Sequence, residues 1–268
     1  MTRRPPIDDA AARTDAVAEC WICRKRPADT SEHRFKASDV RLKAPSVSQA
    51  NPLFIQRFGR ATNTKVGSAR AKHLTFRPSI CSWCNNTATQ PSDLAWQRLS
   101  EYLHRHWPEI RRRRQFAMST PFPGGSRVAA LQVHLYFLKL FGCKIVEDKE
   151  PIDLTGFSEA LRTAQPHPEV SILIADGTND TQGFLAYDSG VYIMRNQQGE
   201  IHGAIWLYLI HPIAIKVGYI KAGQPLYLPG HPWHPSKPGK IVKLSSFSGA
   251  TEPLAGRRAL LHGDGEKR

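Results

Sequence analysis

Four of the five cysteines stand in two CxxC pairs, Cys20/Cys23 and Cys81/Cys84, a spacing typical of metal sites. Zinc takes four thiolate or imidazole ligands in a tetrahedron, and each CxxC turn places two sulfurs along one edge of it. Because two such turns complete the coordination, no position remains open for water or substrate. The sequence therefore predicts a structural Zn²⁺ held by all four cysteines. Cys143 stands in an apolar context and is predicted to be a core residue.

Three polar residues near these cysteines have the types that bind a second metal ion and activate water. Glu32 and His33 follow the first pair, and Asn85 directly follows Cys84. Mg²⁺ prefers oxygen ligands and retains several waters, so one carboxylate and one amide oxygen form an incomplete shell for it. A histidine that titrates near neutrality accepts the proton of an attacking water. The competing interpretation of Glu32 and His33 is an exposed polar pair without function.

The order of these residues resembles that of the HNH, or ββα-metal, endonucleases. It is closest to their zinc-stapled HNN variants, such as phage resolvases that cut branched DNA. In that family a zinc knuckle, the tight turn of a CxxC pair, precedes a strand that ends in an acidic residue and a histidine. A second strand then leads to the second knuckle, where a helix starts at an Asn or His. Glu32-His33, a predicted strand over Leu74–Ile80, and Cys84-Asn85 match these steps across roughly residues 19–107.

The resemblance implies a catalytic Mg²⁺ or Mn²⁺ bound by Glu32 and Asn85, with His33 as the general base. Such an ion stabilises the negative charge that builds on the phosphate and on the leaving oxygen. The structural zinc then holds the frame, and the chemistry is carried by the residues beside it.

The chain departs from the family pattern in ways that leave two roles open. The gap from His33 to Cys81 is long, which indicates an insertion in the loop between the two strands. The residue that would orient the catalytic histidine is one of two asparagines in that insertion, Asn51 or Asn63. Pro91 is predicted to break the next helix early, which leaves the further metal ligand open between Asp93 and His73.

Positive charge is concentrated in the first half of the chain. Residues 1–127 contain 23 Lys and Arg against 10 Asp and Glu, whereas residues 128–268 are close to neutral. This asymmetry favours a bound polyanion, with nucleic acid as the leading partner, over a solvated basic surface, and charge does not distinguish DNA from RNA. The residues predicted to contact the phosphate backbone are Arg24, Lys25, Arg26, Arg34, Lys36, Arg70, Lys72, Arg77, Arg111, Arg112, Arg113 and Arg114.

The elements that must position these groups fall into four segments. Residues 1–18 are predicted as a disordered tail and residues 19–118 as the zinc-bound nuclease-like domain, whose helix runs from Ser92 to near Pro108. Residues 119–127 form a linker rich in Pro and Gly, and residues 128–268 form a second domain. The predicted fold class is α+β: an N-terminal ββα-metal (treble-clef) finger with a helical extension, then an α+β domain with an antiparallel sheet.

In the second domain, helical spacing predicts a helix over Val128–Phe141, capped by Gly142, and a short helix over Phe157–Thr163. The β-rich runs that follow are Val170–Ala175, Gly183–Asp188, Gly190–Arg195, Ile201–Ile210 and Ile213–Ile220. No family resemblance is found for this domain, so its role stays open.

Neither an export signal nor a membrane span is expected from the sequence, so a reducing, cytoplasmic setting without a membrane partner is predicted. The leading functional hypothesis is a metal-dependent HNH-type endonuclease that hydrolyses phosphodiester bonds in DNA. Two other classes stay open: a non-catalytic zinc-finger nucleic-acid-binding protein, and a zinc-stabilised module that binds an acidic protein. The oligomeric state is also open, a homodimer included.

Overall fold

The computed structural model describes residues 18–57, 63–178, 185–224, 228–237 and 241–246. The predicted tail lies outside these residues except for residue 18, as do residues 183–184 of one predicted strand. Within the described ranges the helices are Ala37–Lys43 (α1), Gln90–Arg113 (α2), Ser126–Asp148 (α3) and Thr155–Thr163 (α4). The strands are Leu53–Arg57 (β1), Thr64–Val66 (β2), Gln115–Ala117 (β3), Val170–Asp176 (β4), Ala186–Asp188 (β5), Tyr192–Arg195 (β6), Ile201–Ile210 (β7), Ile213–Ile220 (β8), Ile241–Lys243 (β9) and Ser245–Ser246 (β10).

The main sheet is mixed rather than antiparallel as predicted. Its strands follow the order β10-β4-β8-β7-β5-β1-β2, with β6 beside β7, and β3 pairs with β9 in a separate antiparallel ribbon. The β7–β8 hairpin and its neighbours are antiparallel, but β1 lies parallel to β5 and β10 lies parallel to β4. The prediction failed because it rested on the hairpin-rich stretch alone, whereas β1 and β10 join from distant parts of the chain.

Helix α3 lies at the centre of the molecule, between α2 and the sheet. Trp96 of α2 stacks on Tyr136 of α3 with ring centroids 5.6 Å apart, and Phe141 of α3 stacks on Trp206 of β7. Among the described residues, α3 is the helix whose length and apolar composition alone would suit a membrane span, but 83% of that apolar window is buried inside the protein. Such burial is typical of the core helix of a soluble protein.

Helix α3 continues past the predicted cap at Gly142 and ends at Asp148, followed by Lys149 in the left-handed conformation (φ 57°). A Cβ atom on Gly142 would lie 2.4 Å from the ring of Trp21, so this glycine lets the cysteine-bearing segment pack against the helix. The glycine therefore serves close packing rather than helix termination.

Helix α2 also extends beyond its prediction. Pro91 lies in the first turn, where its missing N–H costs no helical hydrogen bond, and so it starts the helix instead of breaking it. Pro108 lies inside the helix, which continues to Arg113 because Trp107 and Ile110 remain buried against the core.

The described residues on both sides of the predicted linker share one sheet and one hydrophobic core. Strands β1 and β2, from the insertion between the cysteine pairs, join the sheet through β5, and the core cluster extends from Cys20 to Leu244. The Ser158 hydroxyl of α4 donates a hydrogen bond of 2.6 Å to the carbonyl of Ile22. The division into two domains stays a prediction, and each side contributes to the packing of the other.

Candidate functional site

The four cysteines of the two CxxC pairs meet in space. The sulfur atoms of Cys20, Cys23, Cys81 and Cys84 all lie within 4.8 Å of one another, close enough to hold a metal ion such as zinc. The first turn closes through the N–H of Cys20, which donates to the carbonyl of Arg26 at 2.8 Å. We refer to these four residues as the cysteine cluster. The predicted metal-binding group of cysteines is thereby confirmed.

Ionisation of Cys23 is favoured within the cysteine cluster. Burial opposes the thiolate, but the N–H of Lys25 and the neighbouring cysteines outweigh it and lower the pKa of Cys23 to about 7. A thiolate that forms near neutral pH suits a zinc ligand. Cys143, by contrast, is fully buried, and burial raises the pKa of its thiol to about 12, in keeping with its predicted place in the core.

The segment that carries Glu32 and His33 lies against the chain leading to the second cysteine pair. Isolated bridges join Thr30 to Ile80 and His33 to Thr75, and the carbonyl of Glu32 accepts the N–H of residue 76 at 2.9 Å. The predicted strand over residues 74–80 is thus reduced to two bridges, preceded by a 3₁₀ turn at residues 72–74. These contacts fix the direction in which Glu32 and His33 project.

Glu32 is buried, and both of its carboxylate oxygens have partners. Oε1 accepts the backbone N–H of His33 at 2.8 Å, and Oε2 lies 2.6 Å from Nζ of Lys139 on α3. The same ammonium contacts Oδ1 and Oδ2 of Asp93, in the first turn of α2, at 2.9 and 3.0 Å. Two carboxylates from distant parts of the sequence therefore meet at one point. We refer to Glu32, Asp93 and Lys139 as the carboxylate cluster.

Charge within the carboxylate cluster is closely matched. Burial alone would lower the pKa of Lys139, but Glu32 and Asp93 outweigh it and the pKa is raised. Burial raises the pKa of Asp93, and the positive charge of Lys139 acts in the opposite direction. The ammonium of Lys36 reaches the backbone carbonyl of Asp93 at 2.7 Å and brings a second positive charge to the edge of the cluster.

His33 is partly buried beside the carboxylate cluster. Burial is the main cause of its lowered pKa, and the positive charges of Lys139 and Lys36 act in the same direction against Glu32 and Asp93. The neutral imidazole is therefore the favoured form at neutral pH, and it is the form that accepts a proton.

The side chain of Asn85 contacts the two residues that precede Glu32. Its side-chain nitrogen donates to Oγ1 of Thr30 and to the carbonyl of Ser31, both at 3.4 Å. A π-helical turn over Cys84–Ala88 carries Asn85 and leads into α2. The amide is thus held beside the backbone that precedes Glu32.

The structure distinguishes between the residues that the sequence left as alternatives for the further metal ligand and for the orienting asparagine. Asp93 joins the carboxylate cluster, whereas His73 is exposed on its 3₁₀ turn. Asn51 is exposed and donates hydrogen bonds to Ser46 and Ser48 within its own loop. Asn63 is half-buried just before β2. Among the residues described, neither asparagine contacts the carboxylate cluster.

Lys139 is the residue that sequence reasoning missed. It stands in an uninterrupted apolar run between Leu138 and Leu140, and a lysine there must find a buried acceptor. That pattern was the available signal, although it did not reveal which carboxylates would serve.

The prediction that Arg34 contacts phosphate was wrong. Its side chain is fully buried, pairs with Glu147 and Asp188, and lies 4.3 Å from the ring centroid of Phe76. Arg34 therefore ties the finger segment to α3 and β5 instead of facing solvent. Lys36 is half-buried at the carboxylate cluster, as described above.

The other basic residues predicted to bind phosphate are exposed, and they form two groups. One group lies just after the first cysteine pair and on the segment that leads to the second pair: Arg24, Lys25, Arg26, Arg70, Lys72 and Arg77. Within it, Arg26 lies over the half-exposed ring of Trp83, 5.3 Å from its centroid.

The second group, Arg111 to Arg114, lies at the far end of α2 from the carboxylate cluster. About twenty residues of helix separate it from Asp93, which corresponds to roughly 30 Å. Arg111 and Arg114 contact Asp176 there at 2.9 and 3.4 Å. The arginine tract is therefore remote from the candidate site.

Comparisons with known protein families, curated proteins and solved structures gave no match for this chain. The cysteine cluster is the part of the predicted resemblance that the structure supports.

Proposed function

We propose that this protein is a metal-dependent HNH-type endonuclease that hydrolyses phosphodiester bonds in DNA. The observation that carries the proposal is the meeting of two carboxylates, Glu32 and Asp93, whose charges act on the imidazole of His33. The paired bridges on either side of Glu32, followed at once by a helix, are also the arrangement expected of a treble-clef finger.

Each residue has a defined task in this proposal. Glu32 and Asp93 would hold one Mg²⁺ or Mn²⁺ through carboxylate oxygens, and Asn85 would supply an amide oxygen from the adjoining turn. The ion, when bound, stabilises charge on the phosphate and on the leaving oxygen. His33 accepts the proton of the attacking water in its neutral form, and exposed Arg24, Lys25, Arg26 and Arg77 contact neighbouring phosphates.

The test is cleavage of supercoiled plasmid by the zinc-loaded protein with Mg²⁺, Mn²⁺ or EDTA. Wild type should nick the plasmid with either metal and not with EDTA. We expect His33→Ala to lose about 10²–10⁴-fold in rate, the usual contribution of a general base. His73→Ala is the matched control, because this exposed histidine lies on a neighbouring turn and should cleave like wild type. Intact plasmid in every lane, from protein that is folded and carries zinc, would refute the proposal.

A second candidate is a non-catalytic zinc-finger protein that binds nucleic acid. It is favoured by one observation: both carboxylates already hold the ammonium of Lys139 in a buried ion pair. This candidate predicts DNA binding that weakens steeply with salt, with no cleavage under any metal. Measuring binding and cleavage on the same substrate separates the two functions.

A further inference from the structure

Trp83 is a surface tryptophan that stands between the two cysteines of the second CxxC pair. Half of the residue is exposed (50%), whereas the other tryptophans of the chain are buried or partly buried. A single exposed apolar side chain is common on protein surfaces and carries no meaning alone. The meaning of Trp83 depends on how firmly it is held and on which charges surround it, and the proposed reaction assigns it no task.

The backbone on both sides of Trp83 is fixed by hydrogen bonds. The N–H of Ser82 donates to Oδ1 of Asp29 at 2.7 Å, and the N–H of Cys84 donates to Sγ of Cys81 at 3.4 Å. A π-helical turn over Cys84–Ala88 follows directly. The indole is therefore attached to a closed turn, and a ligand that binds its ring does not have to order the chain first.

Positive charge lies beside the ring of Trp83. The guanidinium of Arg26 is 5.3 Å from the ring centroid, which is a cation–π contact. Arg24 and Lys25, both exposed, precede it in the same segment, and the guanidinium of Arg24 donates a hydrogen bond of 2.9 Å to Oγ1 of Thr155. A flat apolar surface and a group of cations thus occur together, which favours a ligand that combines a flat ring with negative charge.

A nucleotide with an unpaired base has this chemistry. Any base can stack on an aromatic side chain through its π-face, while its phosphates contact neighbouring cations. Inside a duplex those faces are covered by the adjacent base pairs, so a surface ring reaches them only where a strand is unpaired. An exposed amide and an exposed hydroxyl, those of Asn86 and Thr87, follow on the next turn and can bond to a base edge. An acidic protein segment would use the cations but has no obligatory flat group for the ring.

We propose that Trp83 and Arg26 form a stacking site for an unpaired base of nucleic acid, with Arg24 and Lys25 contacting the adjoining phosphates. This inference rests on the proposed function for the class of its ligand and deepens it. It identifies single-stranded regions, in preference to continuous duplex, as the part of the nucleic acid that binds at the second cysteine pair.

The test is binding of a fluorescently labelled oligothymidylate to the full zinc-loaded chain, measured by anisotropy without added Mg²⁺ or Mn²⁺ so that the strand is not cut. Trp83→Ala should weaken binding by about 5- to 150-fold, the usual contribution of one base–aromatic stack. Trp83→Phe retains an aromatic face and should lose less affinity than Trp83→Ala.

Two further probes separate stacking from phosphate contacts. A strand of the same length whose sugars carry no bases retains every phosphate, so wild type and Trp83→Ala should bind it equally. A long blunt duplex, which has no unpaired base, should also bind the two proteins equally. Arg26→Gln removes a charge and should weaken binding of all three probes, with a smaller salt dependence.

Phe54→Ala is the matched control, because Phe54 is another exposed aromatic residue (43%), on β1. It should bind oligothymidylate like wild type, and zinc content and melting temperature verify that each variant is folded. Quenching of tryptophan emission by oligothymidylate is a second measurement, which should be present in wild type and reduced in Trp83→Phe.

Three results would overturn the proposal: unchanged oligothymidylate affinity in Trp83→Ala, an equal loss on the strand without bases, or an equal loss in Phe54→Ala. Wild type that binds none of the three probes would overturn it as well, and would favour an acidic protein as the partner of the basic residues.

The same measurements distinguish this proposal from the proposed function. Binding that depends on both bases and Trp83, together with plasmid left uncut by wild type, would refute the nuclease and leave the stacking site standing. Plasmid cleavage by wild type, with oligothymidylate affinity unchanged in Trp83→Ala, would do the reverse.

Discussion

The cysteine cluster and the carboxylate cluster are assembled from different parts of the chain. The cysteine cluster needs two tight turns, each of which brings two sulfurs together within four residues. The carboxylate cluster needs three elements: the bridged segment with Glu32, the first turn of α2, and the middle of α3. The first could hold a metal ion, whereas the second contains its own cation, the ammonium of Lys139.

Because of this difference, we expect that each cluster can be disrupted while the other stays intact. Loss of zinc should affect the finger directly, while loss of packing against α3 should disturb the carboxylate cluster and leave the sulfur ligands in their turns. The predictions that follow test this separation, beginning with the largest expected effect.

Cys81→Ser should abolish zinc binding and unfold the finger. Structural zinc contributes about 10–16 kcal/mol in isolated finger peptides, so an incomplete ligand set leaves the finger without its main source of stability. Zinc content by atomic emission and thermal unfolding by circular dichroism measure the effect. Cys143→Ala, a change at the cysteine outside the cluster, should retain one zinc per chain. A full equivalent of tightly held zinc in Cys81→Ser would contradict the assignment of its ligands.

Arg34→Met should destabilise the fold by about 3–5 kcal/mol, because it leaves Glu147 and Asp188 without their buried guanidinium. Arg77→Met, an exposed change in the same segment, should alter the free energy of unfolding by no more than about 0.5 kcal/mol. Urea denaturation measures both. If Arg34→Met were as stable as wild type and merely bound DNA less well, the buried role of this arginine would be wrong.

Acid should weaken the packing around α3 through His134. Burial, reinforced by His234 and His167, lowers the pKa of His134 to about 3, and its Nε2 accepts the N–H of His167 at 3.2 Å. Its neutral form stabilises the fold fully above the unfolded-state pKa of about 6.5, and this contribution is lost as pH falls from there toward 3. By pH 4.5 the loss should reach roughly 3 kcal/mol.

Urea denaturation of wild type and His134→Gln at pH 7.5 and pH 4.5 isolates this contribution, because zinc release and other acid effects are common to both. The glutamine variant keeps an acceptor for the N–H of His167 but carries no titrating group. Equal losses of stability in the two proteins on acidification would show that His134 has no part in it.

Gly142→Ala should have the smallest effect on stability, about 1–3 kcal/mol, because the added methyl group overlaps the ring of Trp21. Its consequence for the two clusters is unequal. The finger must move away from α3, which separates Glu32 from Lys139, while both CxxC turns remain intact. Zinc content should therefore stay at one per chain as plasmid cleavage falls. Gly125→Ala is a suitable control, because the space around its Cβ position is open. Gly199→Ala is not, because the backbone of Gly199 has a positive φ.

The features that the sequence predicted correctly are those with a short-range cause. The CxxC turns bring their sulfurs together wherever the two knuckles meet, and the bounds of β7 and β8 follow from β-rich runs separated by a tight turn. The short helix over residues 157–163 is likewise present within α4. Glu32, His33 and Asn85 were singled out by their order along the chain, and their catalytic roles remain a proposal.

The features that the sequence did not reveal depend on contacts between distant segments. Gly142 and Pro108 are ordinarily signals for the end of a helix, but packing against Trp21 and burial of Trp107 override them. The parallel pairing of β1 with β5 has no local signature. Arg34 had the composition of a surface residue, and only the approach of Glu147 and Asp188 placed it in the interior.

The sequence by itself determined the cysteine cluster, because two CxxC pairs supply the four sulfurs that one structural metal ion needs. Lys139 was not singled out from the sequence, and the structure shows that it is buried, where an unpaired ammonium would be too costly to desolvate. Only the tertiary structure decided that the acceptors are Glu32 and Asp93. Electrostatic pairing in the interior depends on which charges the packing of helices and strands brings within contact distance, and that information is not present in any one segment.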